Sequence, residues 1–539
     1  LAQEKRGPSR RRLKNFRASV FLPGLWSPGL LGNHFQIVGL SRLNPGGWKM
    51  RRNSNGRLSD RRATGRLIEP MESRLMFSTV WVTNTNDSGT GSLRAAIEQA
   101  DSLKGKETID FAIGKGAHTI EPLSALPSVT TPVTINGTTQ PGYSSKPLIV
   151  LDGVHAGKAN GIEITDGGTT IKGLVINNFQ GDGILAEVNG SNTIQGDYIG
   201  TDLTGSIKEP NNDGVLLGGG GNIIGGVKAS QRNVISGNAN TGLDLVGPST
   251  GKNIIQGNYI GVNAAGTAAL ANTNNGIDIQ SESHNTIGGT ASGARNVISG
   301  NGQDGILLYG TSDYNTIQGN LVGTDVTGKV GIGNGQNGIE DQTSYNLIGG
   351  PTAAARNVLS DNEGSGVICW GWISTSVHNL IIGNYVGTDI TGTKALGNWG
   401  GVVFSNNAND NVAGGTSAAD RNLISGNTHV GVGFYEASLG NLVEGNYVGT
   451  DVTGNNAIAN REGVGIFNSS IDNTIGGLAT GAGNLISGNT NDGVDIFSND
   501  TTVEGNILGM NASDKKSIPN KGANLLEVGS SGDTVLDNL

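Results

Sequence analysis

The sequence predicts an all-β solenoid, a parallel β-helix of about 13 or more three-stranded coils. Three observations carry that prediction: a recurring glycine marker, three short apolar runs per recurrence, and asparagines at fixed places within each. The marker opens Gly-Ile-x-Ile-like segments at Gly161, Gly183, Gly214, Gly242, Gly276, Gly305, Gly338, Gly366, Gly401, Gly431, Gly463, Gly493 and Gly522. Successive markers lie 22 to 35 residues apart, a period that belongs to stacked repeats and not to one globular core.

Each recurrence reads as one coil. Residues 276–304 hold GIDI, NTIGG and RNVISGN, each alternating apolar and polar residues as strands do. Gly, Asn, Asp and Ser separate the runs as turn formers, and no helix of three turns fits between them. Coils then stack about 4.8 Å apart, so thirteen span about 60 Å. They alternate between two forms. One carries a loop before its third strand (IGGVKASQRN, IGGTASGARN) and the other a loop after it (YIGTDLTG, LVGTDVTG, YVGTDITG, YVGTDVTG). The full repeat is a coil pair, marked by Gly200, Gly261, Gly323, Gly387, Gly449 and Gly509 at spacings of 60 to 64 residues.

Two asparagine columns follow from this register. One opens the second strand, from Asn192 through Asn285 to Asn473, and the other opens the third, from Asp197 through Asn320 to Asn506. An amide side chain both donates and accepts, so stacked asparagines can bond one another between coils. Two residues on, Ile194, Ile224, Ile255, Ile287, Ile317, Ile348 and Ile475 form an inward aliphatic column. Ile199, Ile235, Ile260, Ile298, Ile424 and Ile486 form another. Gly at 90 of 539 residues is far above an ordinary domain, and the absence of a strict Gly-x-x period excludes collagen.

Charge divides the chain. Of 36 Lys/Arg and 45 Asp/Glu, residues 1–78 hold 16 and 4, which leaves 20 against 41 for the remainder. The first 78 residues are expected to be a disordered basic export or targeting segment. Translation is expected to begin at Met50, with 1–49 lying upstream of it. The acidic remainder offers no surface for nucleic acid, and no stretch reaches the length of a transmembrane helix. Residues 79–160 are read as an N-terminal cap and first coils, and 161–539 as the repeats, without a C-terminal cap. Ser92 is a suitable N-cap for a short helix over 92–101, whose Leu93, Ala96, Ile97 and Ala100 share one face that can cover the open first coil.

IEPMESRLMFS (68–78) resembles the Leu-Glu-Pro-Arg-type N-terminal segment of planctomycete exported and surface proteins. Glu69, Pro70, Glu72, Ser73, Arg74 and Leu75 fit it, while Ile68 and Met71 depart. VTNTNDSGTGSLRAAIEQAD (82–101), LPSVTTPVTINGTTQPGY (126–143) and PLIVLDG (147–153) resemble bacterial right-handed parallel β-helix proteins of the pectate-lyase-like class. The chlamydial polymorphic outer-membrane proteins are distantly similar. The resemblance covers about 80–539 and implies a right-handed helix that is secreted or at the bacterial cell surface. Its class contains lyases, hydrolases, adhesins and stalks, so it implies no single activity.

Motifs of known chemistry are missing. The one cysteine, Cys369, sits at an inward strand position, and the six histidines have no metal-ligand spacing. Asp202, Asp325, Asp389 and Asp451 recur in Thr-Asp-x-Thr-Gly loops and are read as turn formers. Alternate coils hold them about 9.6 Å apart, too far to share a calcium ion. Arg232, Arg295, Arg356 and Arg421 are expected to tie loops to neighbouring carboxylates or carbonyls. Asp244 and Asp278, on consecutive coils, are the catalytic candidates, because paired carboxylates can share acid–base work or hold a cation. No metal site is assigned and no cofactor expected, calcium being the ion the resemblance would bring.

The binding candidates form an aromatic edge: Trp370, Trp372, Phe404, Tyr435, Phe467 and Phe497, with Trp399 nearby. Stacked aromatic residues along a groove can hold sugar rings or anchor a protein. The expected function is that of an exported or cell-surface scaffold, adhesin-like or matrix-type, whose partner is a polysaccharide or cell-surface glycan. Further C-terminal modules or edge-to-edge association are allowed. The alternatives are a polysaccharide lyase or glycoside hydrolase, and a passive stalk.

Overall fold

The computed structural model describes residues 78–539 except 104, 248–250 and 373–374. The expectations for residues 1–77, including the start at Met50, lie outside the described residues. The chain forms a right-handed parallel β-helix. A first sheet of 13 strands runs from Ile162–Glu163 to Leu525–Glu527, a second of 16 from Thr79–Val82 to Thr534–Leu536, and a third of 14 from His118–Ile120 to Ile507–Leu508. Each strand pairs in parallel with its counterpart one coil on. In the first sheet Leu243, Ile277, Ile306 and Ile339 stand opposite one another in succession. The expected isoleucine columns line the interior at 0 to 1% exposure. The helix Leu93–Ser102 is N-capped by the Ser92 hydroxyl, which accepts from the Ala95 N–H at 3.2 Å. It buries Leu93, Ala96, Ile97 and Ala100 and packs against the first two strands of the second sheet.

Both expected asparagine columns are hydrogen-bonded ladders. In the second-strand ladder the Asn253 amide donates to Asn285 Oδ1 at 2.9 Å, and Asn285 to Asn315 at 2.9 Å. In the third-strand ladder Asn296 donates to Asn320 at 2.9 Å and Asn320 to Asn357 at 3.1 Å. A third ladder runs beside the marker glycines, where Asn272, Asn301, Asn334 and Asn362 each donate to the next, Asn362 reaching Asn398, at 2.8 to 3.0 Å. Its members alternate between two contexts, Ser-Gly-Asn after one third strand (Asn301) and the far side of the hairpin loop after the next (Asn334). Sequence alignment on either context alone therefore misses half of them.

The marker glycine answers to space. A Cβ on Gly276 would lie 2.7 Å from the Gly305 carbonyl oxygen and 2.8 Å from both the Asn301 amide nitrogen and an Ile298 methyl. Gly522, expected as the last marker, is not one. The first sheet continues at Leu525, the Gly493 position is faced by Asn524, and Gly522 lies against the Asp492 side chain in the preceding turn. The marker pattern fails there because Asn524 replaces glycine.

The alternating loops cover the outer face of the third sheet. Each Thr-Asp-x-Thr-Gly loop closes with an antiparallel bridge, as between Thr324 and Gly331, and docks on the loop two coils away. The Val326 N–H reaches the Gly266 carbonyl, and the Ile390 N–H reaches that of Gly328, both at 2.8 Å. Beneath them Tyr198, Tyr259, Leu321 and Tyr385 form a second apolar cluster. The loop aspartates are turn formers, as expected. Asp325 accepts from the Thr327 hydroxyl and from the Lys329 and Val330 N–H groups. The arginine column ties to carbonyls: Arg232, Arg356 and Arg421 donate to Gly257, Gly383 and Gly445. Their guanidinium groups lie 3.9 to 4.2 Å over Tyr259, Tyr385 and Tyr447.

Asp197 heads the third-strand ladder with a carboxyl where its successors carry amides. Its Oδ1 accepts from the Leu174 N–H at 2.8 Å, while Oδ2 is buried with no partner in the protein. Burial pushes this carboxyl up to about 8, against the pull of backbone N–H bonds. An unfolded aspartate titrates near about 3.9. The folded chain thus keeps a proton that the unfolded chain releases, and stability from this group falls as pH rises between those values. Asp197→Asn is expected to remove that slope. Thermal melts of the two proteins should coincide at about pH 4 and separate in the variant's favour at about pH 9, since only the carboxylate form is penalised. Equal melting temperatures at both pH values would mean that the carboxylate is solvated.

Candidate functional site

Strand alternation gives the first sheet two outward columns. The one nearer the marker reads Leu216, Asp244, Asp278, Leu307, Glu340, Ile368, Val403, Gly433, Gly465 and Asp495. The column two residues on carries Gln280 and Tyr309, then Trp370 opposite Ser405, and further along Tyr435, Phe467 and Phe497. The rings of Tyr435 and Phe467 are stacked at 5.2 Å and 19°, and those of Phe467 and Phe497 at 5.4 Å and 17°. Trp370 is in the same column but separated from that stack by Ser405; its neighbour is Trp372, at 5.8 Å and 67% exposed. Phe404 is no part of this surface. It alternates inward, faces Cys369 and Phe434, stacks on Phe434 at 5.3 Å and is fully buried. Cys369 is likewise buried in the core.

Tyr435 and Phe467 lean down on the sheet because two glycines make room for them. A Cβ on Gly433 would meet the Tyr435 ring edge at 2.6 Å, and one on Gly465 the Phe467 ring at 2.4 Å. At these separations each ring covers part of its neighbour's face. The stack therefore turns ring edges to solvent, and Phe497 at its end, 42% exposed, is the one exposed ring of the three.

Across from the stack stand residues at the start of the first-sheet strands: His429 just before Val430–Phe434, Glu462 at the head of Glu462–Ile466, and Asp492 two residues before Val494–Ile496. Between the two walls lies a cavity of about 540 Å³, lined also by Asp495 and Leu526. Trp399 packs edge-on to His429 at 4.6 Å. Asp495 is 3% exposed, yet its Oδ1 has no hydrogen-bond partner in the protein, nor do the Tyr435 hydroxyl and His429 Nδ1. Burial, then the charges of Asp492 and Glu462, pushes the Asp495 carboxyl up to about 7. Burial, with the Glu462 charge adding to it, pushes the Tyr435 hydroxyl up to about 12. The arrangement is that of a ligand site: an aromatic wall, an acidic wall, and buried polar groups with unused bonding capacity. In sequence Asp495 looks like a solitary outward residue. Its partners come from one coil back (Glu462) and from the turn before its own strand (Asp492), and only the stacking assembles them.

Asp244 and Asp278 do stand opposite each other. Asp278 accepts from the Asn275 amide at 2.7 Å and the Thr241 hydroxyl at 3.3 Å. Asp244 keeps a buried Oδ1 without a partner, and burial followed by the Asp278 charge pushes it up to about 7. Among the described residues no group of three or more His, Cys, Asp or Glu is placed to hold a metal ion.

A second ring stack joins His284, Tyr314, Tyr345 and His378 on four consecutive coils, with centroids 5.0 to 5.3 Å apart. All four are exposed, and all have left-handed backbone, φ 57° to 63°. Each precedes a ladder asparagine, a position that holds Gly221 or Asp410 in other coils. The sequence signal was a ring immediately before the asparagine, a turn position that the strand pattern does not cover.

No protein-family model matches this sequence, and no curated protein does. Solved structures resemble it in fold. The Dettilon tailspike protein is 16% identical, with 79% of this chain and 68% of that one covered, at a TM-score of 0.40. A mannuronic acid specific polysaccharide family 6 lyase from human gut microbiota is 12% identical, with 84% and 83% covered, at 0.38. The periplasmic alginate epimerase AlgG, as a double mutant, is 13% identical, with 81% and 78% covered, at 0.37.

Proposed function

We propose that this chain is an exported or cell-surface β-helix of the adhesin-like or matrix type that holds a polysaccharide on the outward face of its first sheet. The observation that carries the reading is the cavity between the Tyr435–Phe467–Phe497 stack and the His429–Glu462–Asp492 wall. Its size suits one or two sugar rings, and its aromatic and polar walls match the apolar and hydroxyl faces of a sugar. Trp370 and Trp372 extend the same face and offer a second contact for a longer chain. The planctomycete-type segment at 68–78 fits export. No helix among the described residues is long and apolar enough to cross a membrane.

The test is a glycan array followed by titration calorimetry on each hit. The Tyr435→Ala, Phe467→Ala double variant is expected to lose at least about a hundredfold in affinity, since stacked aromatic anchors carry a few kcal/mol of binding. Binding unchanged in that variant would remove the cavity from the function. Incubated polymer should keep its length. Shortening that disappears in Asp244→Asn, Asp278→Asn would replace the binding reading with a hydrolase or lyase acting at that pair.

A further inference from the structure

We propose that the cavity selects a cationic sugar, an amino sugar with a free ammonium group, over neutral and uronate glycans. The proposal rests on the reading of the cavity as a glycan site and names the class of glycan.

Three carboxyl groups line this small space: Glu462, Asp492 and Asp495. One of the three is committed elsewhere, because Glu462 lies 3.9 Å from the guanidinium of Arg461, whose side chain is 59% exposed. Asp492 gives one oxygen to the Ala523 N–H. Asp495 receives no N–H or O–H at its Oδ1, which is buried in the cavity lining, and the neighbouring Asp492 carboxyl raises its pKa further. A buried carboxyl without a donor is costly, and a ligand that supplies donors and positive charge removes that cost. An ammonium brings three N–H donors and the charge together.

The opposite wall favours the same ligand class. The exposed ring of Phe497 follows the strand that carries Asp495, two residues on and on the same outward side. An aromatic face attracts a cation through its quadrupole. Carboxylates beside an aromatic ring are the combination that recognises ammonium groups, and a uronate would bring a like charge to the same acidic wall. The only titratable side chain with basic character that lines the cavity is His429, and Arg461 is already paired. At longer range, the 41 acidic against 20 basic residues after position 78 repel polyanions and draw cations in.

The experiment titrates the protein with three oligosaccharides of equal length: a β-linked glucosamine oligomer, its N-acetylated form, and a uronate oligomer. Each is run at low and at high salt. The glucosamine oligomer is expected to bind about tenfold or more tighter than the acetylated one, as a hydrogen-bonded charge contact does. That advantage should shrink with salt and vanish in Asp495→Asn, which preserves shape. Acetylated or uronate oligomers binding as tightly as the amine would overturn the inference while leaving the cavity a glycan site. If no oligomer binds and the circular dichroism spectrum is that of a folded β-helix, the glycan reading itself fails, and the inference with it.

Discussion

Asn320→Ala is expected to destabilise the protein by about 4 kcal/mol, because it removes a partner from two buried backbone groups and two buried amide side chains, at about 1–3 kcal/mol for each group left unsatisfied. The Asn320 side chain accepts from the Asn296 amide and backbone N–H and donates to the Ile287 carbonyl and to Asn357 Oδ1. Alanine keeps none of these, and Asn320 is fully buried, so water cannot replace them. Equilibrium urea unfolding followed by far-ultraviolet circular dichroism reads the loss. Ser206→Ala, at an exposed loop position that bonds Asp202 through its backbone N–H alone, serves as the reference and should cost under about 0.5 kcal/mol. A loss of less than about 1 kcal/mol in Asn320→Ala would mean that the ladder is ornamental and that the isoleucine columns alone hold the coils in register.

Gly305→Ala is expected to be as damaging for a different reason. A Cβ there would lie 2.6 Å from the Gly338 carbonyl oxygen, 2.7 Å from a Val322 methyl and 2.9 Å from the Asn334 amide nitrogen. The valine can rotate. The carbonyl cannot move away, because it accepts the hydrogen bond from the Ile306 N–H that joins two coils of the first sheet. Relief therefore spreads the coils at the point where two of the sheet's bonds lie, and the cost should exceed about 3 kcal/mol, above the usual range for overpacking. Hydrogen exchange should show the loss concentrated in the coils that begin at Gly305 and Gly338, because a solenoid transmits strain to its nearest neighbours. Uniform loosening along the whole stack would contradict that picture.

The coil register was readable in sequence because a parallel β-helix repeats one local environment many times. An inward position must be aliphatic in every coil, and a buried turn needs a side chain that both donates and accepts. Ile287 and Asn285 therefore recur as columns. The serial loop aspartates were readable for the same reason, since each forms its turn with residues two to five positions away. The third asparagine ladder was harder to see, because Asn301 and Asn334 reach the same site from unlike local sequences. Phe404 was misplaced because it only adjoins the outward column in sequence: three residues after Gly401 it points inward with Cys369 and Phe434, and Ser405 holds the outward place.

The sequence by itself determined the architecture, since period, inward columns and ladders are properties of one coil repeated. Tertiary structure alone decided the cavity. His429, Glu462 and Asp495 share no motif and sit in three successive coils; they face one space only because coils about 4.8 Å apart bring residues some thirty positions distant side by side. Repetition writes a fold into local sequence many times over, whereas a unique site appears once, across coils, and leaves no period to read.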